Sequence, residues 1–351
     1  MFRSVAIVLA TLLAVCPGRA AGETSSDGLL LGKTYPIEVS VSFHVGLLHW
    51  LDSLAVLNRA GATAGKTIPA HRAEYEKVLG LPTGGDKGML QRYRSARLAW
   101  LDSADATERD RLTVAFFEAA DLDGALESSA EILDSTSARS LATAMRHFVP
   151  RYQRIWREGR IPREFVDRVR GSGRREELAR FLVGVAGFFG VSPTQKPLPQ
   201  LVLVPVPPGF GTHAQAIGPY LLIEIRPGEG LSDEVGPIVH ENAHLLIYRI
   251  PPARLEALGR TATGEKPWGP DAWAALKEAL PTAIAQGVAH QSFRREDWSI
   301  GNDWYDVQRI DEYAKRIFPL VKEALSGDGT FDEEFVKQLV QAYPETSHRS
   351  P

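Results

Sequence analysis

At 351 residues, with 44% hydrophobic and 24% charged side chains, the chain has the composition of globular material and is long enough for one or two domains with a large core. That composition excludes a fibre and a wholly disordered chain. A net charge of −3 without a basic tract argues against nucleic acid or an anionic membrane surface as the main partner.

Near the start of the sequence, Arg3 is followed by an apolar run from Val5 to Val15 and then by Gly18-Arg19-Ala20, which sets small residues ahead of a cut after Ala20. This pattern predicts a secretory signal peptide over residues 1–20 and an exported, periplasmic or secreted protein. The apolar run is about half the length that a spanning helix needs, so no integral membrane segment is expected once it is removed. Cys16 stands between Val15 and Pro17, a poor fit to lipid attachment. Removal of the segment takes away Arg3, Arg19 and the single cysteine, moves the net charge to −5 and leaves a chain that no disulfide can staple.

Residues 22–36 are rich in Gly and Ser and read as a loose leader. Alternation over Pro36 to Phe43 predicts a strand, followed by a helix from Val45 to Asn58. His44 and His49 lie near that junction and read as helix-start or surface histidines, since neither has a partner at metal-binding spacing. Ala60-Gly-Ala-Thr-Ala-Gly65-Lys66-Thr67 resembles a phosphate loop, but a helix precedes it and Ile68-Pro69 follows it, so it reads as an ordinary loop. From residue 72 to 189 the periodicity is helical: 72–79, 89–102, 107–120, 122–133, 138–158, 162–170 and 174–189.

The pattern changes after Gly190. A Pro-rich stretch from Ser192 to Pro199 leads to strands over 200–206, 212–217 and 220–225, and the next helix begins at either Ser232 or Gly236. Pro251 and Pro252 end that helix. A loop from Thr261 to Pro270 precedes a helix over 271–287, which contains Pro281. The tail carries a helix over 310–325 and another whose capping box opens at Thr330. The expected fold is α+β and mostly helical, with a helical region over 21–190 and a second region over 191–351. In the second region a small mixed sheet lies beside the helix that follows it.

That helix carries His240-Glu241-Asn242-Ala243-His244. On a helix, residues four apart lie about 40° apart around the axis and one turn along it, so both imidazoles can reach one ion. Glu241 projects beside the pair, placed to act on a water instead of taking the metal. A catalytic zinc needs a third protein ligand and an open position. Glu278, among Ala274, Ala275, Leu276, Ala279 and Leu280, is the best-placed acid for it, with Glu256 and Asp271 as substitutes.

These residues resemble the zincin superfamily of metallopeptidases, and within it the gluzincin branch, in which two motif histidines and a glutamate on a later helix bind zinc. The resemblance covers roughly residues 200–325. The sequence departs from that branch in having Lys277 before Glu278 and no acid at position 282. The resemblance implies Zn2+ held by His240, His244 and Glu278, with a peptide or protein as substrate. Glu241 would be the general base toward a zinc-bound water. It also implies a donor for the reaction's oxyanion, for which Tyr313 is the best candidate ahead of Tyr305 and His290. The strand over 220–225 would pair with an extended substrate as the edge strand. The alternative is an exported, non-catalytic protein that zinc merely stabilises.

Overall fold

The computed structural model describes residues 25–29, 31–55, 84–104, 108–157, 160–206, 213–294, 296 and 298–344. The expected signal segment, the loop over 60–67 and the helix over 72–79 lie outside them. The architecture is α+β and mostly helical, built on one five-stranded mixed sheet.

The strands are β1 (Ser25–Leu29), β2 (Glu38–Val41), β3 (Gln200–Pro205), β4 (Ala214–Ile217) and β5 (Tyr220–Ile225), in the order β1-β2-β3-β5-β4. The three central strands run parallel, with Val39 opposite Leu201 and Leu201 opposite Leu221, and an antiparallel strand closes each side. Parallel strands are covered on both faces, which is why β3 and β5 read as nearly unbroken apolar runs. β1 forms where a loose leader was expected. The strand over 220–225 is not at the edge: β4 pairs along its outer side, because Gly218, in the left-handed region at φ 57°, turns the chain back in a tight hairpin. Among the described residues the sheet therefore ends at β4.

Between β2 and β3 the chain makes α1 (Phe43–Leu54), α2 (Gly84–Ser103), α3 (Arg111–Glu118), α4 (Leu122–Ile132), α5 (Ser135–Arg157), α6 (Arg160–Gly171) and α7 (Arg175–Phe189). After β5 come α8 (Leu231–Arg249), α9 (Pro252–Glu265), α10 (Gly269–Thr282), a π-helical stretch (Ala283–Ala289), α11 (His290–Phe293), α12 (Gln308–Ser326) and α13 (Glu333–Gln341).

Alternate side chains of the central strands feed two cores. Leu201, Leu203, Leu221, Ile223 and Ile225 face α6, α7 and the helices from α8 onward. Val202, Val204, Tyr220 and Leu222 face α1 to α5. Helices α6 and α7 thus share one core with everything that follows β5, and β2 is hydrogen-bonded to β3 across the Pro-rich stretch.

Three local departures have simple causes. The Pro251-Pro252 pair that stops α8 also starts α9, since proline at the first helical position gives up an N–H that has no intrahelical acceptor anyway. Pro281, which cannot donate to the carbonyl of Lys277, stands just before the change from α to π winding at Ala283. The last helix is capped by Asp332, which accepts from the Phe335 N–H at 2.9 Å, while Thr330 only donates to Asp332.

Candidate metal centre

Helix α8 starts at Gly230, in extended conformation, whose N–H donates to the Asp233 carboxylate at 2.9 Å. Asp233 and Glu234 in the first turn complement the partial positive charge of the helix N-terminus. Pro237 lies in the second turn and Val235, Ile238, Val239, Ala243 and Leu246 anchor the helix in the core. Gly236 sets how closely α8 meets the segment after Glu278: a Cβ there would come within 2.6 Å of His290 Nε2. The absence of a side chain at 236 lets α8 pack closely against the π-helical stretch and α11 that follow α10.

On this scaffold His240, His244 and Glu278 converge. Nε2 of His240 lies 3.0 Å from Nε2 of His244, and Oε2 of Glu278 lies 3.5 Å from the first and 3.4 Å from the second. Three ligands about 2.0–2.1 Å from a tetrahedral ion stand about 3.3 Å apart, so the donor triangle has a size that could hold a metal ion. Neither Glu256, which pairs with Arg260 across an exposed turn, nor Asp271, exposed at the start of α10, belongs to the cluster.

The electrostatics of the group follow from its packing. Burial disfavours charge on His244, but hydrogen bonding to Glu278 and the negative charges of Glu241 and Glu278 outweigh it and hold its pKa above the ordinary imidazole value. Burial likewise opposes the charge on Glu278, and contact with both histidines overcomes it, keeping the carboxyl below the usual range. A negative carboxylate between two imidazoles could hold a cation, by charge as well as by distance. Glu241 is 8% exposed. Its carboxylate makes no hydrogen bond or ion pair among the described residues, an unusual position for a nearly buried acid.

Tyr305 completes the cluster. Its hydroxyl donates to Glu278 Oε2 at 3.0 Å, and its ring lies 6.2 Å from that of His240 at an interplanar angle of 20°. The loop that carries it is held by Asp311, whose Oδ1 accepts from the N–H groups of Trp304 at 2.6 Å and Tyr305 at 3.2 Å. One turn beyond His244, Tyr248 is 71% exposed. Partial desolvation and the carboxylates of Glu278, Asp110 and Glu241 raise the pKa of its hydroxyl.

Tyr313 is not at the cluster. It lies on the buried stripe of α12 with Ile310, Ile317 and Val321, donates to the carbonyl of Leu339 at 2.9 Å and packs edge-on to Tyr343. Its spacing within that apolar stripe marks it as a core residue. Tyr305 carries no such signal, because it sits in a loop whose path depends on Asp311.

His290 packs against Gly236, where burial and Arg294 bring its pKa down to about 4. It is a neutral imidazole outside the donor triangle. His44 and His49 are buried rather than superficial. His44 Nε2 lies 2.9 Å from the Phe116 carbonyl, and His49 Nε2 lies 2.7 Å from Glu224 on the opposite face of the sheet.

No described helix is long and apolar enough to cross a membrane. Comparison of the chain with protein-family models, with curated proteins and with solved structures returns no match.

Proposed function

We propose that the chain is an exported, zinc-dependent metallopeptidase of gluzincin type, with His240, His244 and Glu278 as the metal ligands and Glu241 as general base. One observation carries the reading: two imidazoles and a carboxylate form a triangle of the right size, beside a nearly buried carboxylate that makes no hydrogen bond or ion pair among the described residues. Zinc bound there supplies a Lewis acid that polarises a peptide carbonyl and makes a water easier to deprotonate.

The remaining roles fall to the chain's own residues. Glu241 takes a proton from the attacking water as the new C–O bond forms, and returns it to the leaving nitrogen as the C–N bond breaks, so the reaction balances without a further reagent. Tyr305 fixes the rotamer of Glu278 through its hydroxyl and supports the ring of His240 through its face. The outer side of β4, the terminal strand beside α8, offers backbone groups to an extended peptide.

The test is zinc content by elemental analysis together with peptide hydrolysis by the wild type and by Glu241→Gln. The variant is expected to keep its zinc and to lose about 10²–10⁴ in rate, the usual contribution of a positioned base. Equal rates in the two proteins, with zinc bound, would show a metal-stabilised binding protein instead. A folded wild type that takes up no zinc would remove the metallopeptidase reading altogether.

A further inference from the structure

A cavity of about 680 Å³ opens between the last turns of α8, helix α9 and helix α10. Its walls include Ile247, Leu255, Trp273, Leu276 and Leu280, and His244 forms part of the same wall. The imidazole that contributes a donor to the metal cluster is therefore also a surface of this cavity. Lys277, next to Glu278 in sequence, lies at its rim with Glu256 and Arg260. Those last two are 3.7 Å apart and partly neutralise each other.

The space is built into the helices. Gly259 brings α9 in without a side chain, and a Cβ at that position would lie 3.3 Å from Trp273 Nε1, so the indole lies against bare backbone. The Trp273 N–H makes no hydrogen bond to any described residue, so it adds a donor among the apolar side chains of Ile247, Leu255, Leu276 and Leu280. A concave, mainly apolar site of several hundred Å³ with a few polar groups has the form of a ligand pocket.

We infer that this cavity receives a large apolar side chain, aromatic by preference, of a peptide whose scissile bond lies at the His240–His244–Glu278 cluster. The inference deepens the metallopeptidase reading and rests on it. Its physical basis is continuity: a substrate polarised at the cluster has His244 as a neighbour, and the apolar wall beside His244 gains from removing a bulky side chain from water. An aromatic group buried there should raise affinity by about tenfold to a hundredfold over a methyl group.

The experiment measures calorimetric binding of two zinc-chelating probes, acetohydroxamate and 3-phenylpropanohydroxamate, to the zinc-loaded full chain. A second series uses Leu255→Trp, which fills the cavity from α9 without touching the donor triangle. The phenyl compound is expected to bind at least tenfold tighter to the wild type. In the variant its advantage should fall toward unity while acetohydroxamate binding stays unchanged. Equal affinities in the wild type would overturn the cavity assignment and leave the metal reading intact. Failure to take up zinc, or failure of both probes to bind the zinc-loaded protein, would overturn the reading beneath it and this inference with it. The wild-type comparison decides even where the variant fails to fold.

Discussion

The Tyr305 hydroxyl donates to Glu278 while its ring lies alongside His240, so a single loop residue contacts two of the three donors in the cluster. Groups that hold metal ligands in place typically contribute ten- to a hundredfold to metal affinity. Tyr305→Phe, which keeps the ring and removes the hydroxyl, should weaken zinc binding by about tenfold in competition with a chelator. Unchanged affinity would show that Glu278 holds its rotamer without help from Tyr305.

Glu278→Gln should reduce zinc uptake sharply, because it removes the charge on which the cluster's cation affinity depends. The consequence is visible without any assay of turnover. Zinc at about a hundred times its dissociation constant stabilises a folded protein by about 2.7 kcal/mol. Zinc addition should therefore raise the melting temperature of the wild type and leave that of Glu278→Gln nearly unmoved. An equal rise in both proteins would place the bound zinc elsewhere.

Much of this site was legible because helical period fixes relative position. The spacing of His240 and His244 predicts convergence on one side of α8, and the apolar neighbours of Glu278 place that acid on an inward-facing helix. Tyr313 misled for the same reason in reverse: its place in the stripe with Ile310 and Ile317 is the signature of core packing, and the stripe should have outweighed its proximity in sequence. Tyr305 was hidden because its position is set by Asp311 accepting two backbone N–H groups, a tertiary arrangement with no periodic trace. The edge strand was misassigned because β4 is only four residues long, and sequence alternation cannot tell an outer strand from its inner neighbour.

On the other face of the sheet, Asp52 accepts from Arg97 Nε at 2.9 Å and Nη2 at 2.6 Å, and from the Tyr93 hydroxyl at 2.6 Å, all within the core of α1 to α5. Arg97 is 4% exposed, so removing its partner leaves a cation with little access to water. Asp52→Ala should cost about 3–5 kcal/mol in urea unfolding, the range for breaking a buried pair from one side. Replacing the pair together, as Asp52→Leu with Arg97→Met, should cost less than the single change. A single-variant loss below about 1 kcal/mol would mean that Arg97 finds water when Asp52 is gone.

Glu234, in the first turn of α8, is 1% exposed, and burial together with the charge and hydrogen bond of neighbouring Glu229 pushes its pKa up to about 9. Asp233 adds to the shift and Arg226, bound to Glu229, opposes it. An acid whose folded pKa lies above its unfolded value is protonated in the native state where the unfolded chain has already ionised. Below the ordinary carboxylate range both states hold the proton and stability is unaffected. Between that range and about pH 9 unfolding releases a proton, so this group's contribution to stability falls as pH rises and levels off above that point. Glu234→Gln removes the titration while keeping a similar shape. The unfolding free energy of the wild type relative to that variant should therefore decrease steadily from pH 5 to pH 9 in urea titrations. A difference that stays constant over this range would show that Glu234 is already ionised in the folded protein, with Arg226 offsetting the charge of both acids.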